Sequence, residues 1–394
     1  MPWRNMSIME EKIYFINEYR SGAWSMTDLC AACGISRTLG YKYLERFQKN
    51  GIEGLLELSR TPIHSPNKTP ADIEAAIIAL RREKPHWGSE KLLIHLARGN
   101  SSVHWPAIST GNLILKRNGL VLPRRRIRRI IPRGPIFNPQ ASNDIWSADY
   151  KGKFRMGCKQ YCNPLTIADS FDRYLFAAEG FYYANTSNTK LAFTKVFREH
   201  GMPKQLHTDN GAPFGSSQSL GRLTKFSVWI IELGIDPVYS DPGHPEQNGR
   251  HERMHRDLKA QATKPPAYSL HAQQILLDEF RKEYNEVRPH KALNNLTPAQ
   301  VHVPSSREFP EKISEWLYPE GFDVKKVYKN GAIRWGSYEW VMVSTALIDK
   351  YIGLEELGNG IWRVFFREKH LGYLDESILR IQDDQGRLIR MEKV

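Results

Sequence analysis

Between residues 145 and 179, three segments of strand character follow one another closely: Ile145 to Phe154, Gln160 to Asp169 and Arg173 to Glu179. The pattern then alternates. A helix is expected near Asn188–His200, a short strand at Gln205–Thr208, a helix over about Gly221–Gly234 and a strand at Val238–Ser240. Two further helices are expected near Pro245–Gln261 and His271–Tyr284. Three strands followed by alternating helix and strand commit residues 143–305 to an α/β sheet domain.

The flanks have a different character, as a chain of 394 residues leads one to expect, since one ordinary core does not serve such a length. Residues 1–62 read as helical. A short helix capped by Thr27 and running through Cys33, a turn at Gly34, and a second helix capped by Ser36 and running through Phe47 form a helix-turn-helix pattern. The second of these helices carries Ser36, Arg37, Thr38, Tyr41 and Lys42, side chains able to reach base edges and phosphates in a major groove. A proline-broken linker at 60–70 leads to a second helical unit, 68–120, which is helix-turn-helix-like. Residues 121–142 form a basic linker whose Arg124, Arg125, Arg126, Arg128 and Arg129 would track a phosphate backbone. Residues 320–394 contain six short strands separated by turns such as Lys329-Asn330-Gly331 and Gly358-Asn359-Gly360, the spacing of a small all-β barrel of SH3-like type.

Charge supports a polyanionic partner. There are 56 Lys and Arg against 43 Asp and Glu, a net charge of +13. For a long soluble chain the commonest such partner is nucleic acid. Four cysteines are too few for a disulfide framework. The sequence has neither an apolar run long enough for a membrane span nor a signal-peptide pattern at its first residues, so a cytoplasmic location is expected. Cys30-x-x-Cys33 has the opening spacing of a zinc site, but no nearby Cys/His pair would complete it, and buried thiols are the expected role. No Gly-rich loop with Lys-Ser/Thr points to a nucleotide cofactor.

Three carboxylates carry the chemistry. Asp149 interrupts an apolar strand, where a lone carboxylate is costly unless something positive meets it. Asp209 ends the strand of Leu206-His207-Thr208 just before Gly211, and the C-terminal ends of strands are where α/β sheets place ligands. Glu252 lies early in the helix that follows Pro242-Gly243-His244-Pro245-Glu246-Gln247-Asn248-Gly249. Converging carboxylates bind hard cations such as Mg²⁺, and a pair of such ions can activate a water or a 3′-hydroxyl at a phosphodiester. From Glu252, the positions one turn and two turns on are His255, Arg256 and Lys259, a basic stripe suited to holding phosphates beside the metal site. Asp169 and Asp172, at the end of a strand, read as structural.

In these contexts the chain resembles the DDE transposases of bacterial insertion sequences, within the retroviral-integrase superfamily. The resemblance rests on Trp146-Ser147-Ala148-Asp149, on His207-Thr208-Asp209-Asn210-Gly211 and on Pro242 through Arg253. It extends to Tyr284-Asn285-Glu286-Val287-Arg288-Pro289-His290 and Thr297-Pro298-Ala299. It implies an RNase-H-like core and two Mg²⁺ (or Mn²⁺) ions on Asp149, Asp209 and Glu252. It also implies hydrolytic cleavage at element ends, strand transfer into target DNA, and at least a dimer when active. The 42 residues between Asp209 and Glu252 exceed the family's usual spacing. Glu246 would fit that spacing better, but Glu252 stands in the Asn-Gly-x-x-Glu-Arg context, and the segment Gly215–Gly221 has the composition of an inserted loop.

Two other readings compete. One is a helix-turn-helix regulator with an inactive core, which the intact trio argues against. The other is a nuclease that only hydrolyses, which the C-terminal barrel and the several DNA-binding units argue against.

Overall fold

A computed structural model describes residues 7–57, 68–121, 138–216, 219–240 and 249–382. Two compact units, Met1–Lys68 and Thr69–Val394, divide the chain. The arginines at 124, 125, 126, 128 and 129 lie outside the described residues, as does Glu246.

The first unit holds α1 (Ile8–Arg20), α2 (Met26–Ala32) and α3 (Arg37–Asn50). Ser7 and Glu10 close a capping box on α1. Ser25, not Thr27, caps α2: its hydroxyl accepts from the Asp28 amide at 3.2 Å and donates to the Asp28 carboxylate. Ser25 is the residue ahead of Met26, whose burial sets where the helix must begin. Ser36 caps α3, as the sequence led one to expect, and Gly34 turns the chain at φ +67°. Phe15, Ile16, Met26, Leu29, Cys30 and Leu55 form the core. The two helices can approach closely because α3 carries Gly40 where they cross: a Cβ there would lie 2.6 Å from the Cys30 sulfur and 3.0 Å from the Phe15 ring.

The second unit begins with three helices, α4 (Ala71–Glu83), α5 (Ser89–Gly99) and α6 (Ile108–Arg117), packed around Ile77, Trp87, Leu92 and Ile114. A mixed sheet follows. Its strands are β1 (Ile145–Tyr150), β2 (Phe154–Arg155), β3 (Tyr161–Asp169), β4 (Leu175–Phe181), β5 (Gln205–Thr208) and β6 (Asp236–Tyr239). β3 lies antiparallel between β1 and β4, while β1–β5 and β5–β6 are parallel. The first expected strand is thus broken after Tyr150, and β2 resumes pairing with β3 at Phe154.

Helices cover both faces of this sheet, so its strands carry largely apolar segments. Phe193, Val196 and Phe197 of α7 (Thr186–His200) and Phe226 and Ile230 of α8 (Lys225–Glu232) pack on Trp146, Ala148, Leu165 and Ile167. Met254 and Leu258 of α9 (Gly249–Ala262), with Leu277 and Phe280 of α10 (Leu270–Lys282), pack with Ala168, Leu175 and Ala178. A π turn, Glu283–Val287, continues α10, and α11 (Pro298–Val301) closes the region. The three-helix region meets the sheet region here: Val287 packs into its core, and Lys84 pairs with Glu283 at 2.8 Å.

The C-terminal region is all-β. It comprises β7 (Phe322–Lys326), β8 (Ala332–Trp335), β9 (Glu339–Met342), β10 (Tyr351–Gly358), β11 (Ile361–Phe366), β12 (Lys369–Asp375) and β13 (Arg380–Gln382). Five strands run in the order β13-β12-β11-β10-β7, and β8–β9 form a separate hairpin. β13 is a strand the sequence pattern did not reveal. Leu220, Leu223, Val228 and Ile231 share this region's core, so part of the expected insertion is a packed turn rather than a free loop. Lys350 bonds Glu232, and Lys369 pairs with Asp236 at 2.9 Å, both across the same boundary.

Candidate active site

Asp149 faces α9 for a simple geometric reason. Side chains alternate along a strand. Trp146 and Ala148 enter the core under α7 and α8, so Ser147 and Asp149 turn to the opposite face. On α9, His251 and His255 are four apart and share one helix face. The two periodicities meet: the Ser147 hydroxyl lies 3.1 Å from His251 Nδ1, and Asp149 Oδ2 lies 3.6 Å from His255 Nδ1.

Thr166 ties these pairs together. It is the register partner of Asp149 and is fully buried. Its hydroxyl lies 3.1 Å from the Asp149 carbonyl oxygen, 2.6 Å from His251 Nε2 and 2.7 Å from His255 Nε2. A hydroxyl has one proton and two lone pairs. One hydroxyl therefore links the Asp149 backbone to both ring nitrogens. Both rings are neutral, since burial lowers His251 to about 3 and His255 to about 2.

Asp209 follows the last residue of β5, where the parallel β1–β5 pairing brings it alongside the end of β1. Its Oδ1 accepts the Gly211 amide at 3.2 Å. Asn210 anchors the turn by donating to the Ser240 carbonyl, and its own amide oxygen accepts from Arg222 at 3.1 Å. His207 bonds Ser240 at 2.9 Å and is lowered to about 4 by burial. Glu252 sits in the first turn of α9, exposed, one residue beyond His251.

Asp149 feels the other two carboxylates. Burial, and then the charge of Asp209, push Asp149 up to about 7, with Glu252 adding in the same direction. Burial also raises Asp209. Lys151 offsets part of the cost at Asp149. His255, being neutral, does not balance its charge. The oxygen donors and the negative charge are of the kind a hard divalent cation takes, though among the described residues these three carboxylates do not bring their ligand atoms within 4.8 Å of one another.

Of the expected DNA contacts, Arg256 and Lys259 are exposed on α9. His255 is not among them: it is 5% exposed and turns into the sheet. Helical spacing put it beside Glu252, but the apolar side of α9 claims it. Ser36, Arg37, Thr38, Tyr41 and Lys42 are all exposed on α3 or at its cap. Thr166, Ser147, His251 and Lys151 were not singled out by sequence reasoning. Matching the alternation of β1 to the four-residue spacing on α9 would have found the first three.

A second carboxylate group has metal-like spacing. Single ligand atoms of Asp169, Asp172 and His302 lie within 4.8 Å of one another. Its carboxylate oxygens accept several hydrogen bonds, while His302 Nε2 is buried without a hydrogen-bond partner among the described residues. Asp169 accepts the amides of Asn143 and Phe171, and Asp172 accepts the Ser142 hydroxyl, the Tyr174 amide and His302 Nδ1. It is a clasp for the β3–β4 turn. The Tyr284–His290 motif is also a brace. Asn285 exchanges two 2.9 Å bonds with the Leu175 backbone on edge strand β4, and Arg288 bonds Asp257 of α9.

Residues 7–57 are a helix-turn-helix region, and the sheet, antiparallel on one side and parallel on the other, is that of an RNase-H-like core. Residues 139–245 and 233–298 match two family models each described as "Integrase core domain". Residues 11–62 match a "Helix-turn-helix domain" and residues 40–115 a "Homeodomain-like domain". The chain therefore carries an integrase core behind helix-turn-helix domains.

Its relatives include an uncharacterized 31.7 kDa protein of insertion element IS407 from Burkholderia multivorans, 26% identical over 62% of this chain and 87% of that one. An uncharacterized 39.2 kDa protein of insertion element IS476 from Xanthomonas euvesicatoria is 25% identical over 60% of this chain and 67% of that one. The Pro-Pol polyprotein of feline foamy virus is 27% identical over 58% of this chain and 18% of the polyprotein. Among solved structures, the HTLV-2 integrase catalytic core domain in complex with magnesium aligns at 18% identity with a TM-score of 0.34, covering 42% of this chain and all of that one. Among the described residues, no helix is long and apolar enough to cross a membrane.

Proposed function

We propose that this chain is a DNA transposase that binds the ends of its element, cleaves them hydrolytically and joins the 3′-hydroxyl ends to target DNA. The observation that supports this reading is the electrostatic cost of Asp149 on β1, which burial, then Asp209 at the end of β5 and Glu252 on α9 all push up. A half-buried carboxylate held beside two others is expensive unless it serves a bound cation.

Asp149, Asp209 and Glu252 would hold two Mg²⁺ or Mn²⁺ ions, which supply neutralisation of the reacting phosphate and activation of the attacking oxygen. Thr166, His251 and His255 hold Asp149 on the α9 side of the sheet. Asn210 and Arg222 hold the Asp209 turn. Arg256 and Lys259 bind phosphates of the DNA end. In cleavage, a water oxygen bonds to phosphorus and the bridging 3′ oxygen leaves. In joining, that 3′ oxygen bonds to a target phosphorus and the target's own 3′ oxygen leaves. One ester replaces another, so no nucleotide cofactor is needed.

In this reading residues 1–62 and 68–120 bind element ends, 121–142 follows a phosphate backbone, 143–305 catalyses, and 320–394 is an SH3-like barrel that helps hold DNA. Synapsis of two ends calls for at least a dimer.

The test is strand transfer. Full-length protein with Mg²⁺ or Mn²⁺ joins a labelled element-end oligonucleotide to a plasmid, and Asp149→Asn abolishes joining while end binding persists. Full joining by Asp149→Asn overturns the assignment. Loss of joining in Glu246→Gln but not in Glu252→Gln moves the third carboxylate to Glu246.

A further inference from the structure

We infer that the groove between the start of β3 and the end of β4 is a stacking platform for an unpaired base at the DNA end being processed. This inference rests on the DNA-joining function proposed above. The groove has a volume of about 530 Å³ and is lined by Lys153, Tyr161, Asn163, Tyr182 and Tyr183, among others. Tyr161 is 48% exposed and Tyr183 72%. Large aromatic rings left open beside a cation are the parts of a base-stacking site, since every base offers a π face. The Lys153 ammonium stands 5.1 Å from the centre of the Tyr161 ring, supplying a phosphate partner next to the stacking surface.

The position along the sheet suggests which DNA reaches it. Tyr161 is five residues along β3 from Thr166, the residue opposite Asp149. At strand spacing that is roughly 17 Å, about five nucleotide steps of a duplex strand. Cations stand at both ends of that interval. Lys151 lies close enough to the carboxylates for its charge to act on both Asp149 and His255, while Lys153 stands over the Tyr161 ring and Arg155 is the register partner of Tyr161. No Asp or Glu interrupts residues 151–163. The surface is complementary to one phosphate backbone leaving the carboxylates toward the tyrosines.

The platform is braced. The Asn163 amide donates to the carbonyls of Phe181 at 3.4 Å and Tyr182 at 2.7 Å, fixing the end of β4. The amides of Gly157 and Cys158 bond the carbonyls of Ala267 and Tyr268, fixing the hairpin ahead of β3. Base faces inside a duplex are covered by their neighbours, and opening them costs a few kcal/mol, least where a strand is already unpaired. A linear end frays and offers such bases; the interior of a target duplex does not. The occupant is therefore the element end.

The test uses the full chain and a short linear duplex with the element's terminal sequence, carrying 2-aminopurine in a single-stranded 3′ tail. Wild type changes the 2-aminopurine fluorescence on binding, and the same base placed in the duplex interior gives no change. Tyr161→Ala and Tyr183→Ala each weaken binding of the tailed end by about 5- to 150-fold, the range for one lost stacking ring. Tyr161→Phe and Tyr183→Phe keep the signal. An unchanged signal in both alanine variants, with wild type still joining, overturns the platform and leaves the joining function standing. Equal weakening on covalently closed plasmid also overturns it, because the groove then takes target DNA. Joining by Asp149→Asn overturns the function instead, independently of the fluorescence.

Discussion

Thr166 stands directly opposite Asp149 in the β1–β3 pair and touches that residue's carbonyl oxygen with the same hydroxyl that both α9 histidines reach. One buried group thus joins the strand bearing the first carboxylate to the helix bearing the third. Thr166→Val keeps the shape and removes the hydroxyl, leaving two buried ring nitrogens without that partner. Each such group costs about 1–3 kcal/mol. We expect the valine variant to unfold at lower urea and to join DNA more slowly at unchanged end affinity, with Thr166→Ser close to wild type. A valine variant equal to wild type in both assays would rule out the bridging role.

The buried histidines make metal-free stability depend on pH. His207, His251 and His255 fall from 6.5 to about 4, 3 and 2. Their folded values are depressed, so the unfolded chain binds more protons between them and 6.5. Their contribution is complete above about pH 6.5 and drains away as pH falls, by up to about 1.36 kcal/mol per pH unit per group. Asp149 has the opposite sign: raised from 3.8 to about 7, it favours the folded state at low pH and loses that contribution as pH rises to about 7. His290, lowered to about 3, and His200, also lowered, act with the histidines, while Asp169, raised to about 6, and Asp209, also raised, act with Asp149; the histidines outnumber the carboxylates, so stability in chelator should rise from pH 4.5 to 6.5. Urea titrations at a series of pH values read the slope, and His251→Gln should flatten it. Added Mg²⁺ should raise the melting temperature more at pH 8 than at pH 6, because a protonated Asp149 cannot be a ligand. Stability that climbs on acidification from pH 6.5 would contradict the histidine assignment.

Arg256 and Lys259 are exposed beyond Glu252 on α9, whereas His255 is buried. Each exposed cation that meets a phosphate releases about one counterion. Arg256→Ala and Lys259→Ala should each weaken end binding and reduce the salt slope by about 1. His255→Gln should leave the slope unchanged. Fluorescence anisotropy across a salt series separates the cases, and a slope altered only by the histidine variant would reverse them.

The strands and helices of the core were legible because burial on both faces of the sheet demands long apolar segments, and Gln205–Thr208 falls where its pattern predicted. The carboxylate contexts were legible from motif order. The roles around them were not. His255 reads as a surface cation when α9 is considered alone, and its burial follows only from β1 lying beneath it. Asn285 and Arg288 belong to a motif the eye takes as functional, yet their partners Leu175 and Asp257 are distant in sequence. Strand β13 was missed because Arg380–Gln382 is too short to show an alternation and is defined by pairing with β12.

Gly40 gives the sharpest local test of the helix-turn-helix region. A helix interior normally gains about 1 kcal/mol when glycine becomes alanine. Here the new methyl group would sit 2.6 Å from the Cys30 sulfur, 3.0 Å from the Phe15 ring and 3.1 Å from the Met26 sulfur. Those atoms are buried core, so α3 must move away from α2. Overpacking of this kind costs about 1–3 kcal/mol, which exceeds the propensity gain. Gly40→Ala should therefore destabilise the N-terminal unit and displace Arg37, Thr38, Tyr41 and Lys42 from their common surface, weakening sequence-specific end binding. Cys30→Ala removes the closest obstacle, so the double variant should recover part of both losses. Differential scanning calorimetry and end-binding titrations read the two effects, and a single variant more stable than wild type would show that the α2–α3 contact is looser than its geometry states.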